Sequence, residues 1–336
     1  MERQTRSPRK WISLGAKLAV SAAVLALVLT RVDLHGVARS LAAASVSGLA
    51  VAGAAFLAIP LLGGLRWWLA LRGLGHRARL GPLAALFSTV AVIAQVLPSV
   101  AADGVRVWLA VRRGYSLAAT VRSVFLERVF MVLAVLALAL AAAPLLQART
   151  GEAGPVWVCA GLLLAGCAGL VALMFADKLD LGLGRPRPWR AVMAGAAETR
   201  RLVLSAWGSG LALAALASNL NFALAAFLLA RALGLPVTAP DILAFMPAVI
   251  LATTLPISFG GWGVREGLLV VLLGHVGVAT SDALALSLLF GAGNALCGLP
   301  GLGVWLIEGR LAARTRAVPE HQYFRPGALP LDPTGA

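Results

Sequence analysis

The chain has 336 residues, of which 60% are hydrophobic and 13% charged, with a mean hydropathy of +0.88. A soluble domain carries about 25% charged residues, so this composition excludes an ordinary soluble enzyme and reads as a polytopic, all-α membrane protein. The net charge of +15 does not indicate a nucleic-acid partner, because the basic residues cluster between apolar runs, where positive-inside loops place them.

In chain order, residues 1–11 form a basic cytoplasmic segment, and 12–30 form a first apolar run long enough to span. With no small-x-small site at Thr30-Arg31-Val32, that run is expected to be an uncleaved helix, not a signal peptide. Further full-length runs are expected at 45–65, 124–147, 156–175, 206–230 and 283–307, and a polar tail without a core at 311–336. Three apolar runs are awkward: 80–97, 241–255 and 264–278. At about 1.5 Å per residue, 241–255 reaches about 22 Å, short of a hydrocarbon core of about 30 Å.

The basic residues set the topology loop by loop. The N-terminal segment and 66–79, with four arginines, belong inside, with 31–44 outside. If 80–97 crossed fully, Arg106, Arg112, Arg113 and Arg122 would fall on the wrong side. A re-entrant hairpin turning near Pro98 keeps them inside. The loop carrying Lys178, Arg185, Arg187, Arg190, Arg200 and Arg201 then also falls inside, as does the C-terminus. For 241–278, a hairpin and two full crossings reach the same final side, and the short length of 241–255 favours the hairpin.

Residues 255–267, LPISFGGWGVREG, place a proline, glycines, Arg265 and Glu266 within apolar sequence. Irregular backbone at such depth needs protein or water partners, and each charge costs about 2.5–3.5 kcal/mol at the bilayer centre. The stretch 97–106, LPSVAADGVR, has the same outline of Leu-Pro, small residues and Gly-Val-Arg. Each break follows two full runs and precedes one, in opposite orientations. This pattern predicts inverted repeats, 12–147 and 156–307, with the two breaks meeting at mid-membrane.

Arg265, Glu266, Ser258, Gly260, Gly261 and Gly263 are the first candidates for a substrate site, since backbone N–H groups at the start of a helix plus an arginine suit an anion. An ion pair pinning the hairpin is the other reading. Asp103 and Arg106 hold the equivalent place in the first half, with interfacial solvation as their alternative. Glu127 and Arg128 lie one turn into the run that starts at Val124. Asn219, Asn221, Asn294 and Gln95 are placed to line a cavity or to bond helices together. Trp67, Trp68 and Trp108 are expected in interface belts, and His275 at the outer interface. Cys159, Cys167 and Cys297 read as buried small residues without metal-ligand spacing. With no H-E-x-x-H, G-x-S-x-G or G-x-x-x-x-G-K-[ST] motif, no enzyme activity, metal or cofactor is expected, and any transport is downhill or ion-coupled.

The motif LPISFGGWGVREG, together with LPSVAADGVRVWLAVRRGY followed by LERVF, and GGLRWWLAL at the end of the second run, resembles the lysylphosphatidylglycerol synthase transmembrane region, also called the flippase-like domain, over residues 10–310. The first motif departs from the family's glycine-rich form in having Ala101 and Ala102 before Asp103. The resemblance implies about eight membrane segments in a domain covering 12–310, and an association with moving lipids. Founding members carry a cytoplasmic synthetase domain. This chain ends about 30 residues after its last apolar run, so lipid synthesis by it is not expected. The functional expectation is a lipid flippase in the cell membrane, with both termini cytoplasmic. Its partners would be membrane lipids with anionic or prenyl-phosphate headgroups, together with a lipid-synthesis or glycosyltransferase protein. The alternatives are a small-solute or ion-coupled transporter, and an accessory subunit or intramembrane enzyme of a lipid-modifying pathway.

Overall fold

The computed structural model describes residues 34–95, 97, 99–152, 154–178, 187–254, 261–301 and 303. The first apolar run, the polar tail, Pro98, Pro256, Ser258 and Gly260 lie outside these. The described residues are helical, with no strand among them. In order the helices are α1 (Leu34–Ala42), α2 (Val46–Gly73), α3 (Leu80–Ile93), α4 (Ser99–Arg112), α5 (Leu117–Ala141) and α6 (Ala143–Thr150). There follow α7 (Gly154–Met174), α8 (Arg187–Val203), α9 (Ala206–Ala232), α10 (Ala239–Thr254), α11 (Val264–Gly274) and α12 (Thr280–Leu296).

Among the described residues, five stretches are long and apolar enough to cross a membrane: α2, α5, α7, α9 and Thr280–Gly301. They match the expected runs, with two corrections of boundary. α2 continues to Gly73, so Arg66 is a helical residue and not part of a loop. α5 begins at Leu117 and stops at Ala141, where Pro144, lacking an N–H, opens the separate helix α6. Glu127 and Arg128 consequently sit about 15–16 Å along α5, near its middle instead of one turn from its end.

The antiparallel pair α2 and α9 forms the spine. Gly48 at the start of α2 lies against Ala232 at the end of α9, and Gly73 against Trp207 at the opposite ends. Small residues permit this approach where hydrocarbon supplies no drive for helices to associate. On its other flank α2 receives α3 through Gly63 and Gly64. A Cβ at Gly64 would come within 2.5 Å of Ala84 backbone. Gly64→Leu should therefore cost about 1–3 kcal/mol in overpacking. Gly53→Leu, which faces open space, should leave thermal unfolding in detergent unchanged.

The remaining helices pack around this spine, and their ends sort by charge. One end of the bundle carries Arg72, Arg77, Arg79, Arg112, Arg113, Lys178, Arg200 and Arg201. At that end, beyond α7, Arg200 donates to Asp177 at 2.9 and 3.1 Å. Those hydrogen bonds hold the Asp177 carboxyl below its usual range. The opposite end carries Asp241, paired with Arg149 at 2.8 Å, and Asp282, which accepts from Ser40.

The helices of the two short pairs, α3/α4 and α10/α11, are shorter than the five long spans, with lengths of 14 and 14, and 16 and 11 residues. Arg113, just beyond α4, reaches back to Pro82 O at the start of α3, so both outer ends of that pair lie at the basic end. Asp241 and His275 place the outer ends of α10/α11 at the other. The breaks face each other: Ser99 Oγ donates to Thr254 O at 3.4 Å, and Trp262 Nε1 to Gln95 O at 3.1 Å.

Candidate functional site

Two buried charge clusters and one cavity surround the meeting of the breaks. In the first cluster, Glu127 of α5 accepts on Oε1 from Arg66 Nε at 3.2 Å and Nη2 at 2.9 Å. Its Oε2 accepts from Arg106 Nη2 of α4. All three residues are at most 5% exposed. Arg66 Nη1 also donates to Ser218 of α9, so three helices meet at the carboxylate and a fourth joins through Arg66. The arginines are further compensated by aromatic faces: the Arg106 guanidinium lies 4.6 Å from Trp67 and 5.3 Å from Phe87. Arg106 Nε has no hydrogen-bond partner among the described residues. Next to this cluster, Asp103 accepts a forked pair from Arg128 Nε and Nη2 at 2.7 and 3.1 Å. The two charges of α4, three residues apart on one helix face, thus meet the two adjacent charges of α5.

The second cluster is local. Glu266 accepts from Arg265 Nη2 at 2.6 Å and Nε at 3.2 Å, and from Ser287 Oγ at 3.0 Å. Its other oxygen accepts from the backbone N–H of Gly263 at 2.5 Å, capping the start of α11. Gly263 has φ of 85°, a conformation that favours glycine. Gly291 is needed for space, since a Cβ there would lie 2.5 Å from Arg265 Nη2. The guanidinium stacks 4.8 Å from Trp262. Ser287 bonds both charges, so Ser287→Ala should cost about 1–3 kcal/mol in thermal unfolding by leaving buried polar atoms short of a partner.

Between the clusters lies a cavity of about 240 Å³, bordered by Gln95, Ser99, Arg128, Thr254, Arg265 and Asn294 among others. Both breaks contribute to it, with Gly261 (φ 81°) closing against Thr253. Gln95 Oε1 is buried without a hydrogen-bond partner among the described residues.

Of the residues singled out from sequence, Arg128, Gly261, Arg265 and Asn294 border the cavity, with Gly263 and Glu266 directly behind. Arg106 does not face Arg265 across it. Glu127 draws Arg106 away into the first cluster, and Arg128 takes the cavity position. Asn219 and Asn221 bond helices instead, donating to Ala215 O at 3.1 Å and to Ala55 O at 2.9 Å. Trp67 is not in an interface belt: it is fully buried and donates to Ser123 at 3.0 Å. Trp108 is 52% exposed. Cys297 is buried, but Cys167 is exposed and Cys159 half-buried on the outer face of α7. Arg66, Ser218 and Ser287 were missed. Their only sequence signal is that an arginine within reach of an apolar span needs a carboxylate somewhere else in the chain.

A bundle of long apolar helices with buried charge pairs and a polar cavity between them is a multi-pass membrane protein. The chain belongs to the lysylphosphatidylglycerol synthase TM region family, whose model matches residues 15–301. No curated protein matches it significantly. Family membership is consistent with a membrane lipid-related role.

Proposed function

We propose that the protein is a lipid flippase, moving the headgroup of an anionic phospholipid or isoprenoid-linked lipid through the cavity while its chains stay in the bilayer. The observation that carries this reading is the cavity bordered by two arginines, Arg128 and Arg265, from different halves of the chain. Its volume of about 240 Å³ leaves room for a phosphate-bearing headgroup. The first cluster with its neighbouring pair sets three arginines against two carboxylates, an excess that favours an anion in a low-dielectric setting.

In this reading α3/α4 and α10/α11 are re-entrant hairpins of an inverted repeat, entering from opposite faces of the cell membrane. The basic end and both termini are cytoplasmic. In this reading the protein works beside a lipid-synthesis or glycosyltransferase partner. Reconstitution in liposomes tests the central step. Fluorescent phosphatidylglycerol in the inner leaflet should become accessible to an external quencher faster than in protein-free vesicles. Equal rates for phosphatidylglycerol and for a prenyl-phosphate probe, with and without protein, would refute it.

A further inference from the structure

Arg128 borders two spaces at once. One is the polar cavity. The other is an apolar groove of about 510 Å³ between α5 and α7, bordered by Leu133, Leu136, Leu162, Gly166 and Gly169 among others. The Arg128 side chain is 43% exposed, about 16 Å along α5, where a cation meeting hydrocarbon is costly. Asp103 occupies Nε and Nη2 and leaves Nη1 outside that fork. α7 forms the far wall of the groove but buries only Met174. Gly169 leaves the wall open, since a Cβ there would meet nothing within 4 Å. A second groove of about 520 Å³ joins the first through Phe125 and Leu173 and continues to Arg122 near the basic end. Together they follow α5 from Leu117 to Leu136, about 28 Å, close to the thickness of a hydrocarbon core.

We propose that the α5–α7 groove binds a hydrocarbon chain of an anionic phospholipid whose phosphate is held by Arg128 at the mouth of the cavity. This rests on the lipid-moving function above and adds where the chain lies and which residue divides chain from headgroup. Two features of the groove argue for this occupant. Its walls are apolar while its one mid-depth polar border is a cation, which complements a molecule of long chain and single negative headgroup. Its lobes extend to both sides of Arg128, and a lipid that changes leaflet must trail its chain first toward one end and then toward the other.

The test is photolabelling of the full-length protein in nanodiscs, with phosphatidylglycerol carrying a mid-chain diazirine and a diacylglycerol of identical chains as comparison. The phosphatidylglycerol probe should label α5 and α7 within the groove. That label should fall at least fivefold in Arg128→Gln and in Gly169→Leu, which fills the groove. Leu162→Trp, at a 53% exposed position, fills it from the rim and should give the same loss even if Gly169→Leu fails to fold. Diacylglycerol labelling should not respond to Arg128→Gln. Equal groove labelling by both probes in every variant would mean ordinary bilayer contact and overturn the proposal. Stronger groove labelling by a polyprenyl-phosphate probe than by phosphatidylglycerol would overturn its choice of lipid. Labelling needs no movement, so loss of transport with labelling intact counts against the flippase function alone. Absence of groove labelling in the unmodified protein, with transport intact, counts against the groove alone.

Discussion

Glu127→Ala is expected to destabilise the protein by about 3–5 kcal/mol, the cost of breaking a buried ion pair from one side. The carboxylate receives Arg66 from α2 and Arg106 from α4, and all three groups are nearly inaccessible. Removing it leaves two guanidinium groups facing each other in a low-dielectric interior, with only Ser218, Trp67 and Phe87 to compensate. Repulsion then adds to desolvation. Replacing the whole triad by apolar residues of similar size, as in Arg66→Met, Glu127→Leu and Arg106→Met together, should recover most of the loss, because the desolvation cost of the charges disappears with them. Thermal unfolding in detergent of the single and triple variants makes the comparison. A Glu127→Ala protein within about 1 kcal/mol of wild type would mean that the cluster is hydrated and the triad is not a structural unit.

Arg128→Gln should behave in the opposite manner. Its ion pair with Asp103 has one partner 43% and the other 19% exposed, so its loss should cost less than that of the fully buried triad, and Asp103→Asn made together with it removes the carboxylate left unpaired. In the flippase reading the same change removes a charge-assisted contact to the headgroup, worth about 1.5–3 kcal/mol. At 1.4 kcal/mol per decade, lipid movement in proteoliposomes should slow by roughly tenfold to a hundredfold. Arg265 needs a different design, because Arg265→Gln alone strands the Glu266 carboxylate, which is fully buried. The paired change Arg265→Gln with Glu266→Gln removes both charges and leaves no unpaired buried carboxylate, and should slow movement to a similar extent. Unchanged rates in both variants, with folding intact, would remove the two arginines from the mechanism.

The breaks were legible in the sequence because proline and glycine within apolar runs have few physical explanations. Their meeting was legible because each break follows two long apolar runs and precedes one, and Ser99 and Trp262 now bond across from one break to the other. What the sequence concealed was depth. An apolar run judged to end at Leu65 made Arg66 a loop residue, and one judged to start at Val124 put Glu127 and Arg128 near an interface. Both helices run seven or eight residues further, since the charges that seem to end them are neutralised by each other. That neutralisation spans 61 residues of sequence between Arg66 and Glu127, so no local pattern reports it. The same long-range pairing draws Arg106, which holds the place in the first break equivalent to Arg265 in the second, into the first cluster and leaves Arg128 at the cavity. The motif Gly263–Glu266, by contrast, closes its bonds within four residues, and its charge pair could be read directly.

The most direct measurement of the account modifies the cavity itself. Asn294 borders it beside both breaks, so Asn294→Cys in a background with Cys159, Cys167 and Cys297 replaced places a single thiol there. Movement of fluorescent phosphatidylglycerol in proteoliposomes is then followed before and after treatment with a bulky, charged methanethiosulfonate reagent. If headgroups pass between the two breaks, the thiol reacts, movement stops, and reduction restores it. A thiol that is fully modified while movement continues at its original rate would place the lipid path elsewhere.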